Sequence, residues 1–336
     1  MTNLETRPTP ELCVGHGRSG PLLERHEARD VPLGGIRNMN VRRTLPQRGL
    51  PTVGAWCFLD EFGPQDVQMR VLPHPHTGLQ TVTWPIEGEI HHRDSVGSDV
   101  VVRPGQLNLM TAGRGVAHSE LSIGQSPRVH AVQLWVALPD GPATGAPAFQ
   151  QVVDLPVWTA PGVAATVMVG QIDGVRSPAV VHTPLVGADV ALEAGAAVDL
   201  PLDATFEHAV LVLRGAARVA GEPCGPGPLL FLGDGRPDVR LESDDGARVL
   251  VIGGEPFAHD LVMWWNFVGR DHAQVAEARA DWESPSRAER FGVVAGHGDE
   301  RIPAPDLPHV RLKPRRRPSE PTAAPTAAPP TPREDG

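Results

Sequence analysis

The chain has 336 residues, with 40 acidic against 30 basic side chains, a net charge of −10 and a pI near 5.8. That balance excludes a surface built to bind nucleic acid directly, which needs clustered cations. No apolar run approaches the roughly 20 residues of a membrane span. The length allows two ordinary domains and a real core, and Gly and Pro at 36 each, with Tyr absent, predict an all-β chain of short strands and tight turns.

The first 25 residues are polar and are expected to be flexible. They contain no apolar stretch of the signal-peptide kind. The three cysteines, Cys13, Cys57 and Cys224, are odd in number and widely spaced, so neither a disulfide framework nor a thiolate zinc site follows. A reducing cytoplasm is the expected location.

From about residue 30 to 140, strand-like runs follow one another closely. Gln80 to Pro85 alternates, with Gln80, Val82 and Trp84 on one face and Thr81 and Thr83 on the other. Glu87-Gly88-Glu89 predicts a turn, Ile90 to Asp94 a returning strand, Pro104-Gly105 another turn, and His130 to Leu138 a further strand. Asp60 and Glu61, before Phe62-Gly63-Pro64, read as a turn. His91 and His92 read as a polar strand end, with support of a metal ligand as the competing role. Gly113-Arg114-Gly115 lacks the pattern of a phosphate loop and reads as a tight bend that delivers His118.

The same style returns from about 164 to 256. Glu207 to Leu213 is a predicted strand, Arg214-Gly215 a turn, Ala216 to Ala220 a return, and Pro226-Gly227 precedes the apolar run Leu229 to Leu232. Gly88 matches Gly215 and Pro104-Gly105 matches Pro226-Gly227, which marks an internal repeat. Beyond it, Asp271 to Glu283 predicts a helix with Asp271 as its N-cap, Gln274 three residues on, and Val275, Ala278 and Trp282 on one stripe. Trp264 and Trp265 are expected to pack between this helix and the sheets. The basic run Lys313-Pro314-Arg315-Arg316-Arg317 lies in a Pro-, Ala- and Thr-rich tail, which reads as disordered.

Chemistry concentrates in two short pairs, His74-Pro75-His76 and His118-Ser119-Glu120, with His118 following His76 at a separation of 42 positions. In a strand, residues two apart point to one face, so each pair aims two donor side chains at one point. Three imidazoles and a carboxylate without thiolate suit a divalent Fe, Mn, Co, Ni, Cu or Zn ion and do not choose among them. Four protein ligands leave about two positions of an octahedral ion open, as catalysis requires. Carried through the repeat, the four positions fall on Pro201, Asp203, Arg240 and Glu242, which make no comparable site.

The stretch HPHTGLQTVTWPIEGEIHHRDSVGSDVVVRPGQLNLMTAGRGVAHSE, residues 74–120, resembles the signature of the pirin family of the cupin superfamily. Phe58-Leu59-Asp60-Glu61-Phe62-Gly63-Pro64, Gln133-Leu134-Trp135-Val136, Gly254-Glu255-Pro256 and Met263 to Arg270 extend the likeness over roughly residues 30–290. General cupins lack the TAGRGxxHSE arrangement. The resemblance implies a bicupin, two stacked antiparallel β-barrels of jelly-roll type with a short C-terminal helix. The expected division is a flexible stretch 1–25, a metal-binding barrel 26–150, a metal-free barrel plus helix 151–290, and a disordered Pro-rich tail 291–336.

The resemblance also implies His74, His76, His118 and Glu120 as ligands, usually to Fe(II). Some bacterial pirins act as quercetin 2,3-dioxygenases, opening the flavonol's central ring with loss of carbon monoxide. This chemistry implies a small aromatic enol and O2 as partners and Glu120 as the catalytic base. Other family members are described as regulators that bind a partner protein, so an iron-dependent, redox-sensing regulator is the alternative. A storage or sugar-binding cupin fits less well, because a complete ligand set occurs in one half. Many pirins read HPHRGFET where this chain reads HPHTGLQT, so Thr77, Leu79 and Gln80 remove one cation and one anion from a segment expected to lie near the metal.

Overall fold

A computed structural model describes residues 11–13, 20–33, 39–125 and 127–314. Short antiparallel strands dominate, arranged as two similar units. In the first, a seven-stranded sheet runs in the spatial order Ala148–Val152, Leu107–Thr111, Leu79–Glu87, Arg128–Ala137, Trp56–Asp66, Met39–Leu45 and Arg29–Leu33. Its inner face meets a four-stranded sheet of Arg70–His76, Val116–Ser122, Ile90–Asp94 and Asp99–Val102. The second unit repeats this seven-on-four jelly-roll plan. Its larger sheet runs Val157–Ala160, Val163–Val169, Leu185–Leu192, Ala247–Gly254, Glu207–Gly215, Leu229–Gly233 and Pro21–His26.

The repeat anchors occupy equivalent places. Gly88 and Gly215 both have positive φ, of 81° and 70°. At each, an added Cβ would lie within 2.5 Å of a backbone oxygen, Arg128 O in the first unit and Gly246 O in the second. Only glycine tolerates both conditions, so the matched turns keep it twice.

One strand crosses between the units. Pro21–His26 pairs with Leu229–Gly233 at the edge of the second unit's sheet. The expectation of a flexible stretch through residue 25 is therefore corrected for residues 20–25; residues 1–10 and 14–19 lie outside the described residues. The edge strand satisfies backbone hydrogen bonds of its neighbour while keeping every second side chain exposed.

The two seven-stranded sheets pack by their outer faces. Val82, Trp84, Ile86, Leu134 and Val136 share one buried cluster with Ala209, Leu211, Leu213, Leu250 and Ile252. Polar bonds fix the register of that contact: Trp84 Nε1 donates to Asp189 Oδ2 at 2.6 Å, and Trp56 Nε1 to Val186 O and Gly253 O. The interior of the second unit is filled by apolar side chains such as Val190, Val210, Val249 and Leu241.

The helix forms at His272–Glu283, with Asp271 accepting from Gln274 N and with Val275, Ala278 and Trp282 buried, as the pattern predicts. It packs on Trp264, Trp265 and Phe267 of the hairpin Leu261–Trp264 and Phe267–Gly269. The chain after it differs from expectation. Residues 291–314 are packed as a strap over the helix and the four-stranded sheet, where Phe291, Val294, Ala304 and Leu312 are buried. Ile302 N bonds Pro73 O, and Ser119 Oγ bonds His297 Nε2. Isolated apolar anchors hold a Pro-rich segment that composition alone marks as unfolded. Residues 315–336, with the end of the basic run, lie outside the described residues.

Candidate metal centre

The pair His74 and His76 ends the strand Arg70–His76, and His118 and Glu120 lie in its neighbour Val116–Ser122. His118 stands directly opposite His74, and a bulge separates the pairing of His118 from that of Glu120. The turn at Ala112 to Gly115, with Gly113 at φ 52°, leads into this strand. All four side chains are 0–1% exposed and face the interior of the first unit.

The imidazoles converge. Ring centroids lie 4.3 Å apart for His74 and His118 and 5.0 Å apart for His76 and His118. His76 Nε2 and His118 Nε2 approach to 3.1 Å. His74 Nδ1 donates to Leu72 O at 2.8 Å, which leaves the lone pair on Nε2, a buried atom with no hydrogen-bond partner. Buried polar atoms seldom stay unpaired without a reason, and a cation between the three rings supplies one.

Glu120 Oε1 accepts from Thr83 Oγ1 at 2.8 Å. Thr83 belongs to a row of directly paired residues across the larger sheet: Arg43, Asp60, Gln133, Thr83, Asn108 and Gln151. Paired residues share a face, so the row forms a polar floor opposite the histidines. At its far end, Arg43 makes a two-pronged ion pair with Asp60 at 2.7 and 2.8 Å, both side chains buried. Next to the row, Trp135 stacks on Phe58 at 4.0 Å and presents its edge to His76.

Electrostatics favour neutral rings. Burial pushes His74 down to about 4. Burial and the neighbouring imidazoles hold His76 and His118 well below the ordinary histidine value. Neutral imidazole is the form that binds metal.

Among the described residues, side chains able to share a cation form two groups, His74, His76 and His118, and His92, His118 and Glu120. In each, the donor atoms lie within 4.8 Å of one another. The residue types and the unpaired Nε2 fit a divalent ion of the first transition row. The second unit offers nothing similar at the matched positions. Asp203 is exposed and bonded to Thr205, and Arg240 pairs with Asp199 and Glu242 at the surface.

Several placements differ from the sequence reading. His92 is not a strand end at the surface but a buried ring beside His118, with Nδ1 atoms 3.4 Å apart and Asp94 on its other nitrogen. His91, pointing the other way, pairs with Asp99. Asp60 and Glu61 form no turn: they lie inside the strand Trp56–Asp66, paired with Arg43 and His130. Gln80 turns away from the histidines, because it shares a face with Val82 and Trp84, and it bonds Thr111 and Val180 at the contact between units. Leu79 joins the same core cluster, and Thr77 Oγ1 reaches Val268 O. The exchanges in HPHTGLQT therefore act on packing rather than on charge at the centre. Thr83, Trp135 and Asp94 carried no functional expectation. His92 and Asp94 could have been found by the same two-residue spacing that singles out the ligand pairs.

A pH effect follows for the metal-free protein. His74 and His208, a buried ring in the second unit, both sit near 4 when folded, lowered chiefly by burial, against 6.5 in the unfolded chain. The unfolded state takes up protons first on acidification, so stability is full above about pH 6.5 and is lost as the pH falls toward 4. Each ring withdraws on the order of 3 kcal/mol across that window. Urea unfolding midpoints near neutrality and near pH 5 measure this, and equal midpoints would contradict it.

The pirin family model matches residues 38–136, and the model of the pirin C-terminal cupin domain matches residues 187–288. Protein PA1205 of Pseudomonas aeruginosa, provisionally named a quercetin 2,3-dioxygenase, is 44% identical over 291 residues, covering 85% of this chain and 91% of its own. A pirin-like protein of Caulobacter vibrioides is 34% identical over 270 residues, covering 77% and 92%. The crystal structure of a quercetin 2,3-dioxygenase from Acinetobacter baumannii superposes with a TM-score of 0.81 at 40% identity, covering 87% of this chain and 98% of that one. With both units matched, the chain belongs to the pirin family of bicupins.

Proposed function

We propose that the protein is a metal-dependent dioxygenase of the quercetin 2,3-dioxygenase type, with His74, His76, His118 and Glu120 holding one Fe(II) and a flavonol-like aromatic enol and O2 as substrates. The observation that carries this reading is the convergence of three buried neutral imidazoles, His74, His76 and His118, with the buried Glu120 carboxylate grouped beside His118 and His92 rather than beside His74 and His76. The names borne by relatives of 40–44% identity supply the substrate class.

A bound divalent ion supplies Lewis acidity, which lowers the pKa of a substrate hydroxyl. The chain's own groups do the rest. Glu120 takes the enol proton as general base, and the Thr83 hydroxyl, donating to Oε1, orients its carboxylate. Leu72 O fixes the tautomer of His74. The burial of His74, His76, His118 and Glu120 strengthens each electrostatic contact they make. A reducing, cytoplasmic location belongs to the same proposal and accords with the free, buried thiols of Cys57 and Cys224.

Oxygen consumption by anaerobically Fe(II)-loaded protein given quercetin tests the proposal. Uptake that requires quercetin, yields a ring-cleaved product and is lost in His118→Ala is expected. Absence of uptake from protein shown to hold iron would overturn it and favour the partner-binding alternative.

A further inference from the structure

His92 and Asp94 are two residues apart in the strand Ile90–Asp94, so both face the interior beside the candidate ligands. Asp94 stands opposite His118, and His92 opposite Glu120. Both are buried. Asp94 Oδ1 accepts the backbone N–H groups of Val96 at 3.0 Å and Ser98 at 2.9 Å. Its Oδ2 lies 3.1 Å from His92 Nε2. Burial opposes ionisation of Asp94, yet the bonds from His92 and Ser98 hold its carboxyl below the usual range.

These contacts determine the protons in sequence. A carboxylate only accepts, so His92 Nε2 carries the hydrogen. A neutral His92 then has its lone pair on Nδ1, which faces His118 Nδ1 at 3.4 Å. Two lone pairs would repel there, so His118 carries its hydrogen on Nδ1. Its lone pair is left on Nε2, the atom that faces His76 Nε2 at 3.1 Å. Phe149, stacked on His92 at 4.6 Å with planes 22° apart, fixes the ring that relays this order.

We infer that Asp94 and His92 form a positioning relay that sets the tautomer of His118 and aims its Nε2 lone pair into the metal centre. The inference rests on the reading of His118 as a ligand and is independent of the substrate. Partners of this kind, behind a metal-binding imidazole, typically change metal affinity 10–100-fold when removed.

Long-range proton–nitrogen NMR of the full-length, metal-free protein above neutral pH reads the tautomers directly. His92 is expected protonated at Nε2 and His118 at Nδ1. His92→Phe keeps an aromatic ring on Phe149 but removes the acceptor. It should leave His118 a mixture of tautomers and weaken Co(II) binding by about 10–100-fold. His92→Gln, whose carbonyl can accept from His118, should recover most of that loss, which a packing role alone would not produce. The relay is overturned if wild-type His118 is protonated at Nε2, if His92→Phe binds Co(II) like the wild type, or if His92→Gln is no better than His92→Phe. It is also overturned if Zn(II) loading shifts the nitrogens of His92 as it shifts those of the ligands, for then His92 binds the ion itself. Wild-type protein that takes up no Co(II) would defeat the metal-centre reading instead, while the tautomers remain measurable.

Discussion

Asp60→Ala should lower the unfolding free energy by about 3–5 kcal/mol, as expected when one partner of a buried ion pair is removed. The carboxylate is 0% exposed and the Arg43 guanidinium 2%, joined by two parallel bonds of 2.7 and 2.8 Å. Arg43 also lies over the Phe58 ring at 4.4 Å, and Phe58 stacks on Trp135. It therefore cannot swing out to water without breaking the wall that borders His76. Loss of the carboxylate leaves a guanidinium held in a dry interior, whereas replacing both partners with apolar side chains of similar volume should be far milder. Urea denaturation of Asp60→Ala, Arg43→Met and the double variant measures this. A loss under about 1 kcal/mol in the first would show that the pair is not buried as described.

Glu120→Gln should reduce quercetin-dependent oxygen uptake by on the order of 10²–10⁴-fold, the range for removing a general base. Gln keeps the length and an oxygen that can accept from Thr83, so the floor of the site is preserved. It loses the negative charge and the capacity to take the enol proton. Metal content must be measured beside the rate, because the carboxylate is also a proposed ligand. Activity within about tenfold of wild type in metal-matched samples would assign the proton to another group.

The strands near the site were legible because a two-residue period is unambiguous when apolar and polar residues alternate, as in Gln80 to Pro85. The same period exposed His74-Pro75-His76 and His118-Ser119-Glu120. The repeat was legible from its turns, since Gly88 and Gly215 meet the same steric demand. The helix was legible from its cap and from the stripe Val275, Ala278 and Trp282.

The rest failed for identifiable reasons. Pro21–His26 is an edge strand with little buried surface, so its sequence hardly differs from a loop. Residues 291–314 are held by a few separated anchors, Phe291, Val294, Ala304 and Leu312, which no local pattern distinguishes. Asp60 and Glu61 look like turn residues because partners that bury them, Arg43 and His130, lie far away in the chain. His92 sits next to a Gly-containing turn and an Arg, so its neighbours argued for the surface although its strand parity pointed inward.

Metal stoichiometry tests the central claim most directly. Full-length protein stripped of metal and titrated anaerobically with Fe(II) should bind one ion per chain. That ion should be lost in His74→Ala and His118→Ala and retained in Asp203→Ala, the matched position of the second unit. Retention of the ion in His118→Ala, or its loss in Asp203→Ala, would contradict a centre confined to the first unit.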